Sequence, residues 1–400
     1  MKARYRYRIY PNQQQQTNLA KLFGCCRVVW NDALALCRQS EKLPKNGDLQ
    51  KICITQAKLT EERQWLSEVS NIPLQQAIRD LGVAFNNFFK SLKGERQGKS
   101  VSRPKFKKRH NRQTARFRQG GFSIKRNQVY LAKIGNLKVK WSRPLPPNPT
   151  SVTVIKDCAG RYFLSFVVEV EPEVKPPKNP AIGIDLGIKT FATLSNGQKV
   201  DSSNYSKLNR KIRKAQRQLA RRQKGSRRRE RIRLRIAKLQ AKIRDTRQNF
   251  LHKLSTKVIQ DNQLIALEDL NVSGMVKNRK LSRAISQAGW REFRTMCEAK
   301  AQKFGRELRV ISRWQPTSQY CAECGFKWGK LDLSVRELVC LNCGETIDRD
   351  GNAAKNIENV GVGHTHDAKW TGSECKTSIE AVCGELSTHL KYEQLSLFDC

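Results

Sequence analysis

Two short apolar runs each end on a carboxylate, Ala181-Ile-Gly-Ile-Asp185 and Leu264-Ile-Ala-Leu-Glu268. Four apolar residues closed by an acid read as a buried strand with a charge at its C-terminal end. Thr190-Phe-Ala-Thr-Leu194 reads as a second strand beside the first, and Asn196-Gly197 is a strong hairpin turn into a third. A helix near 283–304, a strand at Leu308-Arg-Val-Ile and a short helix over 351–359, opened by Asp350, follow further along. Strand ends in one sheet point into one crevice. Asp185 and Glu268 are therefore expected to meet there, with Asp350 as a third acid.

Any one of these acids alone reads as a turn or cap residue. Together they repel, so their convergence makes sense around divalent metal. Two Mg²⁺ (or Mn²⁺) ions held by Asp185, Glu268 and Asp350 would activate water and stabilise the leaving oxygen of a phosphodiester. The order hairpin, helix, strand, helix, strand with this triple predicts a metal-dependent nuclease of ribonuclease H-like fold. Two acids compete by position. Asp269 would point to the opposite face from Glu268, whereas Asp348 stays open on spacing alone.

Cys321-Ala-Glu-Cys324 and Cys340-Leu-Asn-Cys343 are two C-x-x-C knuckles with 15 residues between them. That spacing predicts a zinc ribbon over 314–348 with Cys321, Cys324, Cys340 and Cys343 as ligands. Four thiolates close the site, so its role is structural. The 13 cysteines are odd in number and follow no secretion signal, which favours reduced thiols in the cytoplasm over disulfides. With no long apolar run, no membrane span is expected.

The net charge of +42 points to a polyanionic partner, nucleic acid being the usual one. The charge is densest over 204–260. There Leu208, Ile212, Ala215 and Leu219 are spaced 4-3-4, as are Ile232, Ile236, Leu239 and Ile243, with a break at Gln223-Lys-Gly-Ser226. Two helices folded back on each other through those seams are expected. Residues 204–250 hold only two acids, so the polar faces, with Arg221, Arg222, Arg227, Arg228 and Arg229, suit phosphate contact. Trp290, Trp314 and Trp328 are candidates for base stacking, core packing being expected for at least two of them.

Upstream, residues 2–10 alternate charged and apolar as a strand would, and two amphipathic helices fill a helical bundle over 11–93. A basic arm over 94–119 leads to short β-rich runs over 120–173, for which a β-barrel is expected. Residues 171–180 are a linker by composition. The Ser/Thr/Gly-rich stretch 361–400 is expected to be disordered, and His364, His366, Cys375 and Cys383 there are too irregularly spaced for a second metal site.

The motifs Gly183-Ile-Asp-Leu-Gly-Ile-Lys, Leu267-Glu-Asp-Leu-Asn-Val, Arg313-Trp-Gln-Pro-Thr-Ser and Asp350-Gly-Asn-Ala-Ala-Lys-Asn, with the cysteine knuckles, resemble the TnpB family. These are transposon-encoded, RNA-guided nucleases related to type V CRISPR effectors. Phe23-Gly-Cys-Cys-Arg-Val-Val-Trp-Asn31 and Arg103-Pro-Lys-Phe-Lys extend the resemblance, which spans about 5–360. Thr317-Ser-Gln-Tyr320 departs from the Ser-Ser-Lys-Thr type of stretch. The resemblance implies an α+β multidomain fold. A wedge-type β-barrel (1–10 and 94–173) would be interrupted by a helical recognition bundle (11–93) and followed by a RuvC nuclease domain (180–360). It selects Asp350 over Asp348 and implies a guide RNA from the transposon end and cleavage of matched double-stranded DNA beside a short adjacent motif. The expected location is the cytoplasm, at the nucleoid when on DNA. A non-catalytic zinc-ribbon regulator of transposition and a strand-transferring transposase are the competing readings. The three acids amid so much positive charge count against the first, and the basic surface counts against the second.

Overall fold

The computed structural model describes residues 1–364 except 97, 99, 110, 111, 175, 333 and 334. His366, Cys375, Cys383 and nearly all of the segment read as a tail lie outside the described residues.

Alternation of charged and apolar residues makes strand β1 (Lys2–Ile9), with Tyr7 and Ile9 turned inward. Helix α1 (Gln13–Gln39) begins at a capping box. The Asn12 side chain accepts from the Gln15 amide, and the Gln15 side chain accepts from the Asn12 amide. A short helix α2 (Asn46–Gln50), a π-helical stretch over 51–56 and two 3-10 turns lead to α3 (Asn71–Leu92). The apolar stripe of α3 outruns its partner: Leu74 to Phe85 is buried, whereas Phe89 and Leu92 are exposed.

Strands β2 (Gln113–Arg118), β3 (Phe122–Lys125), β4 (Gln128–Leu131), β5 (Gly135–Lys140), β6 (Ser151–Lys156) and β7 (Tyr162–Glu169) join β1 in one antiparallel sheet. Its order is β2-β6-β7-β1-β5-β4-β3. The expected closed barrel does not form, because among the described residues β2 and β3 are unpaired edges of the order. Only residues 119–121 connect them, so the end of β2 lies near the start of β3 without a closing ladder. Strand β2 falls inside the stretch read as a basic arm; its inward residues Ala115 and Phe117 alternate with Arg116 and Arg118. The rest of that arm lies on α1, where Trp30 Nε1 donates to the Lys105 carbonyl (3.1 Å) and Asn31 exchanges two bonds with the Lys107 backbone (2.8 and 3.1 Å). Helices and sheet share one core, Leu22, Trp30 and Leu81 packing with Phe117 and Phe166.

The second sheet has the order β10-β9-β8-β11-β12, from β8 (Asn179–Leu186), β9 (Thr190–Leu194), β10 (Lys199–Asp201), β11 (Asn262–Glu268) and β12 (Glu307–Ile311). β8, β11 and β12 run parallel, and β9 and β10 are antiparallel. Helices α4 (Ser206–Ala220) and α5 (Arg227–Asp261) form the expected hairpin, sealed by Ile212, Ala215, Ile236 and Ile243. The helix expected near 283–304 is two, α7 (Ser282–Ala288) and α8 (Trp290–Phe304), after a one-turn α6 (Val272–Met275). Gly289 separates them at φ +75°, a left-handed conformation that ends α7. The small ladder β13 (Glu337–Val339) and β14 (Thr346–Asp348) precedes the final helix α9 (Arg349–Val362), longer than the expected 351–359. No helix among the described residues is long and apolar enough to cross a membrane.

Strand alternation decides what each face of this sheet carries. Ile182, Ile184, Ile265 and Leu267 pack against α5 and α8. The intervening residues Ala181, Leu264 and Ala266 face α9, where Ile357 and Val360 meet them. Asp185 follows Ala181 and Gly183 on the α9 face, and Glu268 follows Leu264 and Ala266. Helix α9 lies almost on the strands. A methyl on Gly183 would overlap the carbonyl oxygen of Ala354 and lie 2.5 Å from the Glu358 amide nitrogen, and one on Gly361 would overlap Ala266.

The obstacle at Gly183 is backbone, which cannot rotate away. Gly183→Ala should therefore push α9 off the sheet and cost about 1–3 kcal/mol, the range for overpacking. A thermal melt unchanged from wild type would show that the helix does not rest there.

Candidate active site and four-cysteine cluster

Asp185 and Glu268 project from the ends of parallel neighbours β8 and β11, and Asp350 stands in the first turn of α9 above them. All three line one open cleft of about 490 Å³, together with Arg313, Trp314, Arg336 and Arg349. Burial first, then the neighbouring Asp350 and Glu268, push the Asp185 carboxyl up to about 7. Burial and Asp269 raise Glu268 as well. These acids lack the countercharge that would hold them in the usual carboxylate range. Asp350 has a guanidinium, that of Arg336, at 3.4 Å, but the pair is solvent-exposed and weak.

The two competing acids are engaged elsewhere. Asp348 is the N-cap of α9, accepting from the Gly351 amide at 2.8 Å, and pairs with Lys199 at 3.0 Å. Asp269 is held by Arg313, in the loop after β12, and by Arg294 of α8 at 2.8 Å; these two hydrogen-bonded guanidiniums hold its carboxyl low. The acids left without a strong partner are the three expected from the strand and helix ends. Their chemistry suits a hard cation with oxygen ligands.

The four cysteine sulfurs all lie within 4.8 Å of one another. Cys321 Sγ is 3.8 Å from Cys343 Sγ, and Cys324 Sγ is 3.6 Å from Cys340 Sγ. Tetrahedral zinc with bonds of about 2.3 Å puts sulfurs about 3.8 Å apart, so the cluster fits that ion. Gly325 and Gly344, both at φ +73°, turn the chain after each knuckle.

A set of residues that sequence reasoning passed over ties the cluster to the cleft. Asn352 Oδ1 accepts from the Ala322 amide (2.8 Å), and its Nδ2 donates to the Tyr320 carbonyl (2.7 Å). Asn356, one turn on, donates to the carbonyls of Thr317 and Tyr320, both at 2.8 Å. Lys355 pairs with Glu323. Both asparagines are buried. The signal was the i, i+4 pair of asparagines in Asp350-Gly-Asn-Ala-Ala-Lys-Asn, which places two amides on one helix face.

At the far end of the α4–α5 hairpin, Arg221, Arg222, Arg227 and Arg228 are exposed. Arg229 is half-buried, and its guanidinium donates to the carbonyls of Leu219 (2.6 Å) and Arg222 (2.8 Å), closing the turn. Of the three tryptophans, Trp290 is a core residue and Trp328 packs in the cysteine module, donating to the Ser318 carbonyl at 3.1 Å. Trp314 stands in solvent at the cleft.

Three families match parts of the chain. One described as "Probable transposase" (OrfB_IS605) covers 165–279, one described as "Cas12f1-like, TNB domain" covers 290–357, and one described as "Helix-turn-helix domain" covers 1–42. The last stretch is here one strand and one long helix. A Streptomyces pristinaespiralis protein named "Putative RNA-guided DNA endonuclease" is 42% identical over 374 residues, 90% of each chain. The Escherichia coli K12 protein "Putative RNA-guided DNA endonuclease InsQ" is 31% identical over 386 residues, covering 90% of this chain and 92% of that one. "TnpB-like protein L770" of Acanthamoeba polyphaga mimivirus is 23% identical over 401 residues, 89% and 72% of the two chains. A cryo-EM structure of a Cas12f1-sgRNA-target DNA complex aligns with 86% of this chain and 81% of its own at 15% identity and a TM-score of 0.49. Near-full-length identity to these relatives places the chain in the TnpB family.

Proposed function

We propose that the protein is a transposon-encoded, RNA-guided DNA endonuclease that hydrolyses a phosphodiester at Asp185, Glu268 and Asp350. The observation that carries this reading is the convergence of three acids from separate elements in one cleft, while Asp269 and Asp348 are engaged elsewhere. The names of the relatives support RNA as guide and DNA as target. A short motif beside the target and a guide from the transposon end belong to the same proposal. So does the division into a wedge (1–10, 94–173), a recognition bundle (11–93) and a RuvC-like unit (180–360).

The three carboxylates would hold two Mg²⁺ or Mn²⁺ ions, which when bound supply an activated water and a countercharge for the leaving oxygen. Burial, then Asp350 and Glu268, push the Asp185 carboxyl up to about 7, and a bound cation would offset that cost of its charge. Arg313, Arg336 and Arg349 line the same cleft, where guanidiniums could meet an incoming phosphate. Zinc on Cys321, Cys324, Cys340 and Cys343 would hold the ribbon, and through Asn352 and Asn356 the start of α9. The exposed arginines 221, 222, 227 and 228 would contact RNA phosphates, with Arg229 holding the turn that presents them.

Asp185→Ala should abolish Mg²⁺-dependent cutting of a plasmid carrying a guide-matched site, with RNA co-expressed from the native locus. RNA and DNA binding should stay close to wild type, because they rest on cationic side chains and base pairing. Equal cutting by Asp185→Ala and wild type would remove Asp185 from the reaction.

Replacing Arg221, Arg222, Arg227 and Arg228 with Gln should flatten the salt dependence of RNA binding by about 0.7–0.9 for each phosphate no longer neutralised. A slope equal to wild type would leave the hairpin tip in solvent.

Elemental analysis should find about one zinc per chain, lost in Cys324→Ser. That variant should also cut more slowly, since freeing the first knuckle frees the α9 clamp. Zinc-free wild-type protein that folds and cuts would dismiss this role for the cysteines.

A further inference from the structure

Trp314 has 85% of its surface in water, the most of any aromatic residue among those described. An indole left in solvent forgoes the burial that stabilises most of its kind, so its position calls for a partner. Its backbone is not free to swing. The Trp314 amide lies 3.3 Å from Ser312 Oγ, and the Gln315 and Thr317 amides donate to the Ser312 and Gln315 carbonyls (3.1 and 2.9 Å). Arg313 is ion-paired to Asp269, and the Thr317 carbonyl is held by Asn356 of α9. The loop is thus fixed on both sides of the indole, which shares its cleft with the three acids.

We infer that Trp314 is a positioning residue: a platform on which one nucleobase of a single DNA strand stacks, setting the adjacent phosphate over the three carboxylates. The inference rests on the nuclease reading of that cleft. The occupant is argued from chemistry. The cleft pairs the indole with Arg313, Arg336 and Arg349, and an aromatic face beside cations suits a base and its phosphate together. A single strand is required because paired bases in a duplex hide their faces. Stacking of this kind accepts any base, as cleavage of arbitrary guide-matched sequence demands.

The test uses the full-length protein with its RNA in Mg²⁺-free buffer, and a short single-stranded DNA read by fluorescence anisotropy across a salt series. Trp314→Ala should bind about 5- to 100-fold more weakly, with the salt slope unchanged, because a stacking contact releases no counterions. Trp314→Phe should recover most of the affinity. An abasic nucleotide at one position should weaken wild type by a similar factor and add little to Trp314→Ala. Wild-type affinity for Trp314→Ala, or abasic losses that add fully at every position, would overturn the platform. A wild-type protein that binds in this tryptophan-dependent way but never cuts in Mg²⁺ would uphold the platform and count against the nuclease reading.

Discussion

Helix α9 rests on the backbone of β8 at Gly183, and its own Gly361 lies against the Ala266 methyl of β11. The three acids depend on this contact. Asp185 and Glu268 come from neighbouring strands, so the sheet ladder fixes their separation. Asp350 belongs to no strand and is brought to them only because α9 lies close on that face. A larger residue at 183 would lift the helix and carry Asp350 away. The motif around Asp350 divides its labour along the helix: Asp348 caps, Asp350 enters the cleft, Asn352 and Asn356 grip the cysteine module, and Ala354 and Gly361 allow the approach.

Electrostatics separates the acids that build the structure from those left available. Asp269 and Asp348 each have cationic partners and hydrogen-bond donors, which a carboxylate needs where it serves structure. In a chain of net charge +42, pairing every acid would be easy. Asp185 is nevertheless buried and crowded by Asp350 and Glu268, and its carboxyl rises to about 7. Such crowding is what the proposed cation site would relieve.

Much of this was legible in the sequence, because the signals were local. The strand ends at Asp185 and Glu268, the knuckle spacing and the 4-3-4 seams each follow from periodicity over a few residues. Properties set by distant partners were not legible. Periodicity suggested strands near 120–173 but could not say whether their edges pair, so a closed barrel was expected where the sheet stays open. Strand β2 was hidden by the arginines on its outer face. Asp348 and Asp350 could not be separated by spacing, since the distinction lies in a cap hydrogen bond that only the turn before α9 creates. Arg229 reads like its neighbours yet spends its charge on two carbonyls, because it alone sits where the hairpin turn closes.

On the proposed function the chain holds two ligand sets of opposite character, joined by one helix. Four thiolates are soft donors in a closed arrangement that leaves no open position, so they suit a structural ion. Three carboxylates are hard donors in an open cleft. Because the sets differ in softness, an ion suited to one gains little from the other, and the chain needs no further device to sort them. The ribbon lies between β12 and α9, so the chain must pass through it before the last acid is reached. Bracing α9 from the cysteine side by two buried asparagines converts a rigid soft-donor module into a fixed position for a hard-donor ligand. The module can therefore fix Asp350 in the cleft without contributing an atom to it.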